Sequence, residues 1–128
     1  MARILIVDDD HATRSGLSEL LQAQGHEVTA VGTLHEGLDV LRTGSPDLVV
    51  ADVRLGAFNG LQIVMASTHV VPTIMITGFS DPVLESDARR AGADYLVKPI
   101  NPTAFLALVE RRVTPTTAPT SRLKSMLE

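Results

Sequence analysis

Short apolar runs rich in β-branched residues recur along this chain: "ILIV" (4–7), "LVVA" (48–51), "TIMI" (73–76) and "YLV" (95–97), with a more polar "VTAV" (28–31) that suits an edge. Runs so brief and so uniformly apolar read as strands buried on both faces. Between them Leu17, Leu20 and Leu21, then Leu34, Leu38 and Leu41, then Phe105, Leu108 and Val109 repeat at the three- and four-residue spacing of amphipathic helices. Five βα units follow from this alternation, and it implies an α/β fold with a parallel sheet and helices on both faces. The punctuation agrees. "TLHE" (33–36) has the form of a capping box, "DP" (81–82) and "NP" (101–102) each set an N-cap residue before a helix-starting proline, and Gly25, Gly44 and Gly92 stand where helices should stop.

A chain of 128 residues, 45% of them hydrophobic, can bury one sizeable core but not two. One domain is expected over 1–113. The Thr/Pro stretch "TPTTAPTS" (114–121) has nothing to bury, so 114–128 reads as a flexible tail or linker stub. A net charge of −4 argues against direct contact with nucleic acid, which needs clustered Lys and Arg. Without cysteine there is neither a disulfide framework nor a thiolate metal site. The N-terminal apolar run meets three acids after a few residues, too soon for a signal peptide or a membrane span, and a cytoplasmic protein away from membranes is expected.

In an open parallel sheet, ligands bind in the crevice at the carboxyl ends of the strands. The residues delivered there are Asp8 and Asp9 after the first strand, Asp52 after the third, Thr77 after the fourth and Lys98 after the fifth. Each alone is commonplace, as a turn, a cap or a strand end. Together they are chemically coherent. Two or three carboxylates suit a hard divalent cation such as Mg²⁺, which takes one or two of them plus phosphate oxygens and water. Lys98 adds a point charge, Thr77 a hydroxyl, and Gly78 a backbone N–H that can be approached closely. The set surrounds an anion. His11, His26, His35 and His69 show no mutual metal-ligand spacing, and His11 reads as a solvated loop residue.

The segments "ILIVDDD", "DLVVADVRLGAFNG", "TIMITGFSD" and "GADYLVKP", in this order, resemble the receiver domain of bacterial two-component response regulators, of the chemotaxis-receiver type, from about residue 2 to 113. That resemblance implies a flavodoxin-like, doubly wound (βα)5 fold with strand order 2-1-3-4-5. It implies that Asp52 is the phosphoacceptor, taking a phosphoryl group from a phosphohistidine of a sensor histidine kinase or a histidine phosphotransfer protein. Asp9, Asp52 and the backbone carbonyl of Arg54 would hold Mg²⁺ (or Mn²⁺), with Asp8 acting through water, while Thr77, Gly78 and Lys98 receive the phosphoryl oxygens. Tyr95 would be the switch aromatic. Read from residues alone it is a half-buried ring with its hydroxyl in water. Turning inward, it would reshape the face of the fourth helix, fifth sheet strand and fifth helix, where a downstream protein target binds, and homodimerisation on phosphorylation is compatible with that scheme. The Lys98–Pro99 bond, which base rates favour as trans, would be cis.

Some positions depart from the family's usual pattern. The common "LPxMDG" turn reads "LGAFNG" (55–60), with Gly56 for proline and Asn59 for aspartate, so a looser loop is expected. The third helix or the loop after it should be about one turn short. Arg54 and Phe79, each two positions beyond a site residue, lie where receivers vary, and a bulky Arg54 is expected to lengthen the phosphorylated lifetime. Three rival readings exist. A haloacid-dehalogenase-like phosphatase could use Asp8, Asp10, Thr77 and Lys98, but Ala12 breaks its motif and Asp52 is left idle. A flavodoxin-like nucleotide binder lacks its Gly-rich first turn. A degenerate receiver, binding partners without phosphorylation, is disfavoured by retention of all five polar strand-end residues.

Overall fold

The computed structural model describes residues 1–114 except positions 53, 56, 57, 60, 68–70 and 79. Gly56, His69, Phe79 and all of the expected tail beyond Thr114 therefore lie outside the described residues. The elements run β1 (Arg3–Val7), α1 (His11–Ala23), β2 (Glu27–Val31), α2 (Leu34–Thr43), β3 (Leu48–Asp52), β4 (Arg54–Leu55), β5 (Phe58–Asn59), α3 (Leu61–Ser67), β6 (Thr73–Thr77), α4 (Pro82–Arg90), β7 (Asp94–Val97) and α5 (Pro102–Val113).

The main sheet is parallel throughout, in the order β2-β1-β3-β6-β7. Counting only its own strands, this is the 2-1-3-4-5 order of a doubly wound sheet, and the "VTAV" strand sits at an edge. Every residue of β3 and β6 is buried, because helices cover both faces and leave no polar side for the strand to alternate toward. Side chains instead divide by parity. Leu5, Val7, Val49, Ala51, Met75 and Tyr95 face one core closed by α2, α3 and α4. Ile4, Ile6, Leu48, Val50, Ile74 and Ile76 face a second core closed by Leu17 and Leu21 of α1 and by Phe105, Leu108 and Val109 of α5. The helical spacings in the sequence are the inward faces of those helices.

The caps explain the helix boundaries. Asp10, Thr33, Asp81 and Asn101 each accept hydrogen bonds from backbone N–H groups of the turn they open, and Pro82 and Pro102 occupy first helical positions. In the capping box of α2, Glu36 reaches Gly32 N–H at 3.4 Å while Thr33 Oγ1 accepts from Glu36 N–H at 3.1 Å. After α1 and α4 the chain turns through Gly25 (φ 88°) and Gly92 (φ 97°); after α2 the left-handed residue is Ser45 (φ 48°), one beyond Gly44.

The sequence shows no strand between β3 and α3, yet Arg54–Leu55 pairs antiparallel with Phe58–Asn59. This small ladder overlaps the stretch 55–60 for which the sequence predicts a looser loop. α3 has seven residues, the shortest of the five described helices. At the opposite end of the sheet from the β1 and β3 carboxyl ends, His26 is buried and joins distant parts of the chain. Its Nδ1 accepts from Ala2 N–H at 3.1 Å, and its Nε2 lies 3.0 Å from Glu110 Oε2.

Candidate functional site in the β1–β3 crevice

After β1 the chain goes out to β2 and returns across it to β3, so the winding reverses between β1 and β3 and leaves a crevice at their carboxyl ends. Asp8, the residue after β1, stays in the sheet's register through its N–H, which donates to Val31 O at 3.0 Å. Its Oδ1 accepts from Asp10 N–H at 2.9 Å, a local turn that aims the carboxylate. Asp52 ends β3 and is 5% exposed. The carboxylates of Asp8, Asp9 and Asp52 each offer an oxygen within 4.8 Å of the others.

Lys98, just beyond β7, reaches into that group. Its Nζ donates to Asp52 Oδ2 at 3.0 Å and lies 3.6 Å from Asp8 Oδ2. Burial opposes the ammonium charge, but the hydrogen bond to Asp52 and the charges of Asp8, Asp52 and Asp10 outweigh it and raise the Lys98 pKa. The Lys98–Pro99 peptide is cis, and Lys98 N–H donates to Thr77 O at 2.7 Å, tying the β7 end to the β6 end. Thr77 is buried there. Gly78 follows it exposed, and a Cβ at Gly78 would meet nothing within 4 Å.

The pocket holds more negative than positive charge. Burial above all, then the Asp52 charge, push the Asp8 carboxyl up to about 6, against the Asp10 N–H and Lys98, which pull it down. Asp8 Oδ2 is buried and, among the described residues, has no hydrogen-bond partner. A buried carboxylate oxygen with an open valence, beside two further carboxylates and one ammonium, is a donor set for a hard divalent cation. Asp10 does not join it. Exposed at the N-cap of α1, it accepts from the Thr13 backbone and hydroxyl, and those bonds lower its pKa. That occupation removes it from the phosphatase role.

Tyr95 departs from the half-buried reading drawn from residues alone. The ring is buried in the α2–α4 core, and its hydroxyl accepts from Asp81 N–H at 3.3 Å, at the start of α4. It is thus part of the core rather than of the acid pocket. Arg54 lies in β4 with its side chain outside the described residues. His11 is the first residue of α1 rather than a loop residue, and it is exposed. One residue escaped the sequence reading: Arg14, whose Nη1 donates to the Asp8 carbonyl at 2.7 Å. The signal was its place one turn after Asp10, since helical side chains lean toward the N-terminus and back over the preceding loop.

The chain's relatives carry the same domain. The sequence profile of the response regulator receiver domain matches residues 4–110. The response regulator protein FleR of Pseudomonas aeruginosa is 37% identical over 114 residues, covering 86% of this chain and 24% of FleR. The transcriptional regulatory protein PdtaR of Mycobacterium tuberculosis is 33% identical over 115 residues, covering 87% of this chain and 56% of that protein. The chain thus spans from about a quarter to about half the length of these curated relatives. A CheY-like receiver domain from Methanospirillum hungatei superposes with a TM-score of 0.82 at 29% identity, covering 88% of this chain and 94% of that one. Fold, acid pocket and sequence agree that this chain belongs to the receiver domains of two-component response regulators.

Proposed function

We propose that this regulatory domain accepts a phosphoryl group on Asp52 from the phosphohistidine of a sensor histidine kinase or a histidine phosphotransfer protein. The observation that carries the reading is Asp52 itself: a buried carboxylate at the end of β3, with Lys98 Nζ at 3.0 Å and the Asp8 and Asp9 carboxylates beside it. A carboxylate oxygen of Asp52 attacks phosphorus, the P–N bond breaks, and its electron pair leaves with the imidazole. Phosphoryl transfer asks the protein for alignment and charge neutralisation more than for covalent machinery. Lys98 then moves its ammonium from the Asp52 carboxylate to a phosphoryl oxygen, and the Thr77 hydroxyl and Gly78 N–H take others.

The acid pocket fits Mg²⁺ or Mn²⁺, which Asp9, Asp52 and the Arg54 carbonyl would hold directly and Asp8 through water. The cation would supply charge neutralisation for the transferring oxygens. The domain promotes its own phosphorylation and dephosphorylation and turns over no other substrate. Output runs through the face of α4, β7 and α5, where Val83 and Val97 are exposed apolar residues available to a protein target or to a second copy. Residues 1–113 form the domain and 114–128 a tail or linker. None of the described helices is long and apolar enough to cross a membrane, and the domain acts in the cytoplasm.

Intact-mass spectrometry after incubation with a small phosphodonor tests this. A gain of one phosphoryl group that requires Mg²⁺ and disappears in Asp52→Ala is the expected result. No gain in a folded wild type would turn the reading to a receiver that binds without phosphorylation.

A further inference from the structure

Arg14 lies in the second turn of α1, partly buried, with both arms of its guanidinium engaged. Nη1 donates to the Asp8 carbonyl at 2.7 Å, and Nη2 lies 3.2 Å from His11 Nδ1, which must then accept. The carbonyl it holds belongs to the peptide that links Asp8 to Asp9. A peptide unit is planar, so holding its oxygen restrains the plane and the two Cα atoms at its ends, from which the Asp8 and Asp9 side chains depart. The same turn is pinned by the Asp8 N–H on Val31 O and the Asp10 N–H on Asp8 Oδ1. Gly32 lies against the guanidinium: a Cβ there would stand 3.0 Å from Nη1 and 3.9 Å from the Asp8 carbonyl oxygen, so Nη1 would have to give way.

We infer that Arg14 is a positioning residue for the acid pocket, locking the Asp8–Asp9 peptide so that the carboxylates are set for a divalent cation before it arrives. The inference rests on the reading of Asp8, Asp9 and Asp52 as a Mg²⁺ site. Arginine suits the task because its rigid fork serves two acceptors at once and its charge does not titrate. Its charge alone acts the other way. A fixed cation beside a cation site repels Mg²⁺, so removing it would tighten binding if electrostatics were the whole role. The sign of the change therefore separates positioning from charge.

The test is calorimetric titration of the full chain with Mg²⁺, wild type against Arg14→Met, with phosphoryl gain followed by mass at graded Mg²⁺. Loss of an outer partner of a metal site typically weakens the metal by 10–100-fold, and the lower end, about tenfold in Kd, is expected here. The half-saturating Mg²⁺ concentration for phosphorylation should rise in step, with the shift falling there rather than on the rate at saturation. Without metal, the Asp9 and Asp10 amides should exchange hydrogen faster. Unchanged or tighter Mg²⁺ binding by folded Arg14→Met overturns the inference. Should that variant fail to fold, Gly32→Ala keeps the charge while crowding Nη1, and a Kd raised about threefold is expected; no rise overturns it. A wild type that binds no Mg²⁺ overturns both the inference and the reading beneath it, whereas a normal wild type beside an unaffected variant overturns the inference alone.

Discussion

Lys98 stands between two buried carboxylates, 3.0 Å from Asp52 and 3.6 Å from Asp8, which makes its removal a question of what those two do next. Lys98→Met should cost about 2 kcal/mol of stability at pH 7.5, because the charges left behind are buried. Urea unfolding would measure the loss, and Mg²⁺ should restore much of it. Asp8 carries a pH dependence of its own. The folded protein holds the Asp8 proton up to about 6, whereas the unfolded chain releases it near 3.8. Between those values the native state binds more protons, so the contribution is complete below 3.8 and is lost as pH rises through about 6. Metal-free protein should therefore lose on the order of 2 kcal/mol from this group between pH 4 and 7.5, and Asp8→Asn should flatten that slope in unfolding measured across pH. These residues were legible in the sequence because each follows an apolar run, and a parallel sheet collects such strand ends in one place. Arg14 and His26 were not. Neither belongs to a run or a spacing, and each acts on a backbone group that only the folded chain brings near.

Two helical glycines make opposite demands at the scale of elements. Gly37 lets α2 approach β1 closely: a Cβ there would stand 2.8 Å from Val7 Cγ2 and 3.3 Å from Ile63 Cδ1. Gly37→Ala should cost about 2 kcal/mol by overpacking a full core. On α1, a Cβ at Gly16 would meet nothing within 4 Å, and Gly16→Ala should raise stability by about 0.5–1 kcal/mol through helix propensity. Thermal melts of the two variants should move in opposite directions. The central strands β1, β3 and β6 were readable because burial on both faces writes itself as an unbroken apolar run, and the starts of α2, α4 and α5 because their caps are chemical. β4 and β5 were unreadable for the converse reason. Two residues each carry no period, and "RLGAFNG" (54–60) has the composition of a turn.

Across the whole molecule, the two ends of the sheet have separate duties. His26 joins the start of β1 to α5, contacts 24 and 84 residues apart in sequence, far from the acid pocket. His26→Ala should cost about 2–3 kcal/mol by leaving the Ala2 N–H unpartnered and opening a void. Phosphorylation of whatever fraction remains folded should proceed at the wild-type rate, which mass spectrometry at a permissive temperature would show. The split of the interior into two cores has a consequence for how mutations combine. Val7 and Ile63 lie in one core and Phe105 in the other, with the sheet between them. Substitutions that share a core should interact and those that straddle the sheet should add, so a double-mutant map would resolve into two blocks. The sheet is then a boundary for epistasis, and each layer can drift in sequence largely without the consent of the other.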